Sequence, residues 1–332
     1  MVSSSTLKEL LNEYDKKQMI AISDLEKRKS ELYARIPRLQ EIETELNSFA
    51  IKTAKALLVK FDPSYISELQ NKANDLRLER ETILKKDGKD ISYLSPHYEC
   101  SKCKDTGYVL DDGKSAMCSC LKQQILNIEY NNSNIGNLDR ENFKKFNLNL
   151  YSDEVNEEKY GSDLSPRENI KVIGKEVKKF IKNFDDPNEK NLLFSGGTGL
   201  GKTFLSNCIV AELLAKGKTV LYQTAPVMLD TLISELFDKN SNNAFSQNLL
   251  SVDLLVIDDL GTETMNSMKF TELYKIINTR LLNQNGKITK TIISTNLDLQ
   301  SLFRTYDERI VSRFIGNYNI YRFFGDDIRF KK

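Results

Sequence analysis

Glycines, a lysine and a threonine lie together in one stretch, and their spacing is suited to binding phosphate. Residues 191–203 are NLLFSGGTGLGKT, an apolar run predicted to be a buried strand and then a glycine-rich turn. The turn fits G-x-x-x-x-G-K-[ST], the P-loop pattern, with Gly196 and Gly201 as its outer glycines. Glycines allow a concave backbone whose N–H groups point at phosphate oxygens, and the next helix presents its positive end to the same anion. The pattern predicts a nucleotide-binding loop.

The last residues of the loop carry the polar groups that such chemistry needs. Lys202 is expected to reach the β- and γ-phosphates, and the Thr203 hydroxyl to bind Mg²⁺. The expected nucleotide contacts are Gly196, Gly197, Thr198, Gly199, Leu200, Gly201, Lys202, Thr203 and Phe204. The alternative, a glycine-rich turn without a ligand, is disfavoured because a strand precedes the loop and a helix follows it.

Polar residues also end two later apolar runs. Residues 254–260 are LLVIDDL, in which Asp258 would hold Mg²⁺ through water and Asp259 would orient or deprotonate an attacking water. Residues 291–296 are TIISTN, and the Asn296 amide could hold the same water. Ser-Thr-Asn is also common in turns, which is the competing interpretation for Asn296.

Arg309 and Arg313 share one face of a predicted helix in the sequence ERIVSRF. Arginine can stabilise charge that develops on a transferred phosphoryl group, often from a neighbouring subunit. A surface ion pair with Asp307 or Glu308 fits the spacing equally well. The spacing also leaves open which of the two arginines would act.

Four of the five cysteines form two close pairs, C-x-x-C and C-x-C, joined by a turn-rich spacer. These are Cys100, Cys103, Cys118 and Cys120. Four thiolates so placed could surround one tetrahedral Zn²⁺, which would stabilise a segment too small to build a core. His97 as a substitute ligand, an iron–sulfur cluster and metal-free thiols are the alternatives. The fifth, Cys208, lies at an apolar helix position and is predicted to be core.

Composition limits the class of protein. The 332 residues include 48 basic and 47 acidic residues, so any contact with DNA must come from a local patch. The sequence has no run of about 18 apolar residues and its Ser-rich start lacks a signal-peptide core, which predicts a soluble, cytoplasmic protein. Five cysteines in an intracellular protein suggest metal binding or packing more than disulfides.

The N-terminal third is predicted to be helical. One helix is expected over 1–35, a second from Pro37, and a third from 62–63 to Asp87-Gly88, with leucines at a seven-residue spacing. These helices could pack only on each other, or form a coiled-coil-like arm that presents a face to another protein. The predicted domains are a helical region 1–95, a four-cysteine zinc-type module 96–125, a linker 126–165 and an ATPase domain 166–332.

Strands alternate with helices after residue 166. The expected strands are the run before the P-loop, 219–223, 254–260, 291–296 and 318–324; the expected helices include 167–184, 228–237 and 269–282. Such alternation predicts an α/β fold, a parallel sheet with helices on both faces. Ligands of these sheets bind at the carboxyl ends of the strands, where each motif lies.

The motifs GGTGLGKT, LLVIDDLG, STN, YDERIVSRF and GDDIR occur in this order. With them the chain resembles the AAA+ ATPases of the bacterial helicase-loader group, the DnaC/DnaI-like and IstB-like proteins, over about residues 140–332. The helical arm and cysteine cluster resemble the N-terminal regions of DnaC-like proteins of Gram-positive bacteria, less specifically. The resemblance implies a strand order of 5-1-4-3-2, Mg²⁺-dependent ATP hydrolysis and an assembly with the ATP site between subunits. It also implies that Asn296 is sensor 1, Arg313 the arginine finger and Arg329 the sensor 2 arginine.

The family's function implies an ATP-dependent loader of the replicative hexameric DNA helicase in replication initiation. The helicase would bind the N-terminal region and single-stranded DNA the ATPase domain, where Lys and aromatic side chains of 223–250 are candidate contacts. The alternatives are an IstB-like transposition helper acting on duplex DNA, and a phage or mobile-element helicase adaptor that barely hydrolyses ATP.

The sequence departs from the family pattern at two places, and each departure predicts a property of the protein. Many AAA+ proteins have Asp-Glu where this chain has Asp258-Asp259. Because aspartate is one methylene shorter, we expect slow hydrolysis. Only three residues follow Arg329, so we expect no C-terminal helical lid.

Overall fold

The computed structural model describes residues 4–58, 63–111, 113–131, 138–238, 242–282 and 287–330. The predicted start of the third helix at Asp62, residues 132–137 of the predicted linker and residues 239–241 of the candidate DNA-contact segment lie outside them. The chain forms two compact units. The first is Ser5–Cys118, and the second consists almost entirely of Ser119–Lys332. Among the described residues, no helix is long and apolar enough to cross a membrane.

Three long helices build most of the first unit, as expected from the leucine spacing. They are α1 (Ser4–Arg35), α2 (Pro37–Leu58) and α3 (Pro63–Lys86). Pro37 is the first residue of α2, where its missing N–H costs little. Leu32, Leu39 and Leu84 form a buried cluster that joins the three helices.

A short segment and a hairpin complete the first unit. The Arg28 guanidinium donates hydrogen bonds from α1 to the backbone carbonyls of Tyr93 (2.5 Å) and Ser95 (3.1 Å). The hairpin pairs β1 (Tyr108–Asp111) with β2 (Lys114–Met117) in antiparallel register. It lies between the two cysteine pairs of the sequence.

The second unit is built on a five-stranded sheet with the order β4-β5-β6-β3-β7, in which every pairing is parallel. Its strands are β3 (Asn191–Ser195), β4 (Val220–Thr224), β5 (Leu254–Leu260), β6 (Lys290–Thr295) and β7 (Tyr318–Arg322). Counted within this unit and started from the β7 edge, the order is the expected 5-1-4-3-2. The strand over 318–324 was predicted two residues too long.

Helices cover both faces of the sheet, as predicted. They are α4 (Ser119–Leu126), α5 (Glu157–Tyr160), α6 (Pro166–Lys182), α7 (Lys202–Ala215), α8 (Ala225–Phe237), α9 (Ala244–Ser251), α10 (Ser267–Leu281), α11 (Leu299–Thr305) and α12 (Glu308–Asn317). Alternate strand residues face two separate apolar clusters, so that Leu193 packs with α8 and α10 while Leu192 packs with α6 and α7. Tyr151, from the predicted linker 126–165, is buried in the cluster of Leu192.

The edge strand β4 is capped by side-chain amides. Gln123 accepts from the Val220 N–H (2.6 Å) and donates to its carbonyl (3.0 Å). Asn131, at the end of a π-helical turn that follows α4, accepts from the Tyr222 N–H (2.9 Å) and also donates to the Val220 carbonyl (2.9 Å). An uncovered edge strand presents unpaired backbone groups to other chains, and the amides satisfy them here.

A buried arginine joins the starts of two central strands. Arg280 is 3 % exposed and donates to the carbonyls of Leu249 (2.7 Å), Val252 (3.1 Å) and Lys290 (2.7 Å). Burial lowers its pKa to about 10, so the group stays charged at neutral pH.

We expect Arg280→Met to lower the free energy of unfolding by about 3 kcal/mol, because several buried carbonyls lose their donor at once. Urea denaturation measures the change. Arg304→Ala, at an exposed position of α11, is the control and should stay within about 0.5 kcal/mol of wild type. Equal stability of Arg280→Met and wild type would contradict this account of the sheet.

Candidate nucleotide-binding site

The glycine-rich loop joins the end of β3 to the start of α7, as its sequence predicts. Gly199 has φ +70°, and a Cβ there would lie 2.0 Å from the Asp327 carboxyl carbon. At Gly196, φ is +145° and a Cβ would lie 2.2 Å from the Phe323 carbonyl oxygen. Only glycine fits both positions. The close approach of Phe323 and Asp327 thus accounts for two of the glycines that the P-loop pattern contains.

Lys202 connects the loop to the end of a second strand. Its ammonium donates to the carbonyls of Gly196 and Gly197 (2.7 Å each) and to Oδ1 of Asn296 (2.8 Å). Burial lowers the Lys202 pKa, and the nearby carboxylates of Asp259 and Asp258 oppose that shift. The predicted loop lysine and the predicted water-holding amide thus meet at the carboxyl ends of β3 and β6.

Asp258 is 4 % exposed, and its carboxylate accepts four hydrogen bonds from described residues. Oδ2 accepts from the hydroxyls of Thr203 (3.1 Å) and Tyr222 (2.6 Å). Oδ1 accepts from the Ser294 hydroxyl and from the Asp259 N–H (3.2 Å). Hydroxyl and carboxylate oxygens are the ligands that Mg²⁺ prefers, so the Thr203–Asp258 pair fits that ion.

A β-bulge places the two acidic residues. Ile257 pairs with Ile293 and Leu260 with Thr295, so Asp258 and Asp259 both stand opposite Ser294. In a regular strand consecutive side chains point to opposite faces. The bulge interrupts this alternation at Asp258 and Asp259, and the charges of both carboxylates act to raise the Lys202 pKa.

Asp259 occupies a backbone conformation that few residues accept. Its φ is +55°, in the left-handed region that Asp and Asn tolerate better than most side chains. Its N–H donates to the Ser294 hydroxyl (3.1 Å). Partial burial, and then the charge of Asp258, raise the Asp259 pKa.

Residues near the C-terminal end of the described chain also contact the glycine-rich loop. The Ile328 N–H donates to the Gly199 carbonyl (2.9 Å). Arg329 forms an ion pair with Asp327 (2.5 Å), and its side chain is 65 % exposed. Its charge is one of the causes that lower the Lys202 pKa, after burial. The predicted sensor arginine therefore lies near the loop, with its guanidinium bound to Asp327.

The two arginines of α12 lie apart from these contacts. Arg309 pairs with Asp307 (2.9 Å), which is the ion pair that the spacing also allowed. Arg313 stacks on the Tyr274 ring at 4.5 Å and donates to the Tyr274 hydroxyl (2.7 Å) and the Asn278 amide oxygen (2.8 Å). The contacts found for Arg313 in the described chain are with α10 and with its own helix.

The two cysteine pairs come together. The four Sγ atoms all lie within 4.8 Å of one another, an arrangement that could hold a metal ion. They belong to Cys100, Cys103, Cys118 and Cys120. His97 is not in this group; its Nε2 lies 3.4 Å from the Arg28 guanidinium. Cys208 is fully buried, as expected for a core residue, and burial raises its pKa to about 12.

Sequence reasoning missed three side chains that position these groups. Tyr222 and Ser294 hold Asp258, and Asp105 accepts from the Cys100 N–H (2.8 Å) beside the sulfur cluster. Ser294 belongs to the STN motif, so its position was a signal. Tyr222 lies in the middle of an apolar strand and carries no local pattern.

Comparison with known proteins finds sequence similarity over the part of the chain that contains this site. Residues 172–320 match the family described as the bacterial DnaA ATPase domain. The chain is similar to the replicative helicase loader DnaC of Escherichia coli K12, with 30 % identity over 145 residues, 42 % of this chain and 56 % of DnaC. It is also similar to the uncharacterized protein YdaV of that strain, with 30 % identity over 127 residues, 38 % of this chain and 50 % of YdaV.

Among solved structures, the chain is similar to AMPPCP-bound DnaA from Aquifex aeolicus, with 24 % identity and a TM-score of 0.45. The alignment covers 58 % of this chain and 53 % of the DnaA chain. The chain spans about half the length of the curated relatives it matches. The resemblance to DnaC-like AAA+ ATPases is confirmed by the curated relatives and the family match. The family match lies within the second compact unit.

Asp259→Asn should make the protein more stable at pH 7. The folded-state pKa of Asp259 lies above its unfolded value, so stability falls as rising pH ionises the carboxylate. Asparagine removes that charge and tolerates the same φ. Urea denaturation at several pH values should show a gain over wild type at pH 7 that vanishes below about pH 4.

Asp307→Asn is the matched control with the opposite sign. Hydrogen bonds from Arg309 lower the Asp307 pKa, and asparagine can still cap α12. This variant should be slightly less stable than wild type at pH 7. An Asp259→Asn variant that is destabilised at pH 7 would contradict the assigned electrostatics.

Proposed function

We propose that this protein is an ATP-controlled loader of the replicative DNA helicase. One observation carries the proposal: Lys202, Asn296 and the Thr203–Asp258 pair converge at the carboxyl ends of neighbouring parallel strands. They do so in a domain similar in sequence to DnaC, a protein named as a replicative helicase loader.

In this proposal the P-loop binds the phosphates of ATP through its backbone N–H groups and Lys202. Bound Mg²⁺ would neutralise phosphate charge during transfer. Thr203 and Asp258 would hold that ion, consistent with the contact between their oxygens at 3.1 Å. Lys202 would exchange its carbonyl partners for phosphate oxygens, so its charge remains compensated.

Hydrolysis would depend on Asp259 and Asn296. A carboxylate with a raised pKa is a better proton acceptor, which suits Asp259 to deprotonate the attacking water. Asn296, held beside Lys202, would orient the same water near the γ-phosphate. The short Asp259 side chain still supports slow turnover, of a kind suited to a switch.

A neighbouring subunit would complete the site. Arg313 is held in a fixed orientation by Tyr274 and Asn278, so it could serve as the finger for the next subunit's ATP at small entropic cost. Arg309 is the alternative finger and Arg329 the proposed sensor 2 arginine. ATP binding would then promote self-association, with single-stranded DNA bound by the ATPase domains and the helicase by the N-terminal unit.

Mixing the full chain with its host's replicative helicase tests this function. Size-exclusion chromatography with light scattering should show a complex with ATP, and Lys202→Ala should abolish its ATP dependence. Lys171→Ala, at an exposed position of α6, should behave as wild type. Absence of a complex under every nucleotide condition would contradict the loader proposal and direct the search to duplex DNA and a transposase.

The sulfur cluster is proposed to hold one structural Zn²⁺. The purified protein should carry about one zinc per chain, and Cys103→Ser should lose it because three thiolates bind the ion poorly. Elemental analysis measures zinc and iron together. Cys208→Ser is the control and should keep the metal. A metal-free preparation that is well folded would remove zinc from the proposal.

A further inference from the structure

We propose that Tyr222 is a positioning residue for the magnesium ion, acting through its hydrogen bond to Asp258. The inference rests on the proposed ATP site and extends it to a strand that has no nucleotide motif. The Tyr222 hydroxyl lies 2.6 Å from Oδ2 of Asp258, and the residue is 2 % exposed.

The hydroxyl can act only as a donor to this carboxylate. A carboxylate offers only acceptor oxygens, so the Tyr222 O–H supplies the proton of this hydrogen bond. Hydrogen bonds to an ionised acceptor are about twice as strong as neutral ones, so this contact strongly restricts the carboxylate.

The neighbouring strands hold Asp258 from both sides. β4 and β6 flank β5, and each contributes one hydroxyl: Tyr222 to Oδ2 and Ser294 to Oδ1. Thr203 donates to the same Oδ2 as Tyr222 (3.1 Å). Tyr222 and Ser294 together therefore fix the orientation of the carboxylate relative to Thr203, the other proposed magnesium residue.

Packing in the core requires only the aromatic ring of Tyr222 and not its hydroxyl. It lies in the apolar cluster that includes Phe194, Leu205 and Val256, where phenylalanine would fill the same volume without burying a polar atom. A buried hydroxyl is costly unless it is hydrogen-bonded. The Asn131 cap on the Tyr222 N–H (2.9 Å) fixes the strand at this residue. What the hydroxyl adds is the contact with Asp258.

Tyr222→Phe tests the proposal. The Mg²⁺ concentration that gives half-maximal binding of fluorescently labelled ATP should rise about tenfold, the equivalent of ~1.4 kcal/mol. Binding of the same nucleotide in EDTA should be unchanged, because the P-loop contacts remain. At saturating Mg²⁺ the KM for ATP should stay within about twofold of wild type while the Mg²⁺ requirement for hydrolysis shifts.

Tyr318→Phe is the matched control. Tyr318 is another buried sheet tyrosine whose hydroxyl is hydrogen-bonded, to Thr291, but it pairs with Asn191 at the start of β3, away from the site. It should leave the Mg²⁺ dependence unchanged. Ser294→Ala removes the donor on the other carboxylate oxygen and should shift the Mg²⁺ dependence in the same direction as Tyr222→Phe.

A Tyr222→Phe curve that coincides with wild type, or a Tyr318→Phe curve that shifts as much, would overturn the positioning role. Wild-type protein that binds ATP with Mg²⁺ but does not hydrolyse it would contradict the proposed hydrolysis, while the binding shift still decides the role of Tyr222. If nucleotide binding by the wild-type protein does not respond to Mg²⁺, both the proposed magnesium site and the positioning role of Tyr222 are overturned.

Discussion

Parallel pairing of the central strands is the constraint on which the site depends. β5, β6 and β3 run side by side in one direction, so the residues that follow each strand meet at one edge of the sheet. Lys202, Asp258 and Asn296 are far apart in sequence and reach each other only through this pairing. A single antiparallel exchange would move one of these groups to the opposite edge.

Buried charge is compensated at both ends of the sheet, in different ways. At the strand starts, Arg280 is satisfied by backbone carbonyls and holds loops together. At the strand ends, Asp258 is satisfied by hydroxyls, and Lys202 by carbonyls and an amide. Hydroxyls and amides can change partners without leaving a bare charge, which suits the end where phosphate and metal are proposed to bind.

The sequence predicted features whose signal is local. The P-loop, the acidic pair and the parallel sheet follow from contiguous motifs and from alternation, whereas the strand order was implied by the family resemblance; the structure contains all of them. The bulge at Asp258–Asp259 depends on the register between two strands, and the contact of Tyr222 with Asp258 depends on which strand lies beside β5. Neither can be predicted from a single segment of the sequence. The role proposed for Arg313 depends on a second subunit, which neither the sequence nor a single chain contains.

The amide cap on β4 also bears on how the chain is made. Gln123 and Asn131 precede the strand that they cap, whereas β5, its partner in the sheet, begins at Leu254. During translation the chain leaves the ribosome from the N-terminus, so the capping amides emerge first and the sheet partner last. The outer side of β4 can thus be protected in the nascent chain before its inner side has a strand to join, and crowded polysomes would offer that edge little opportunity to pair with another copy.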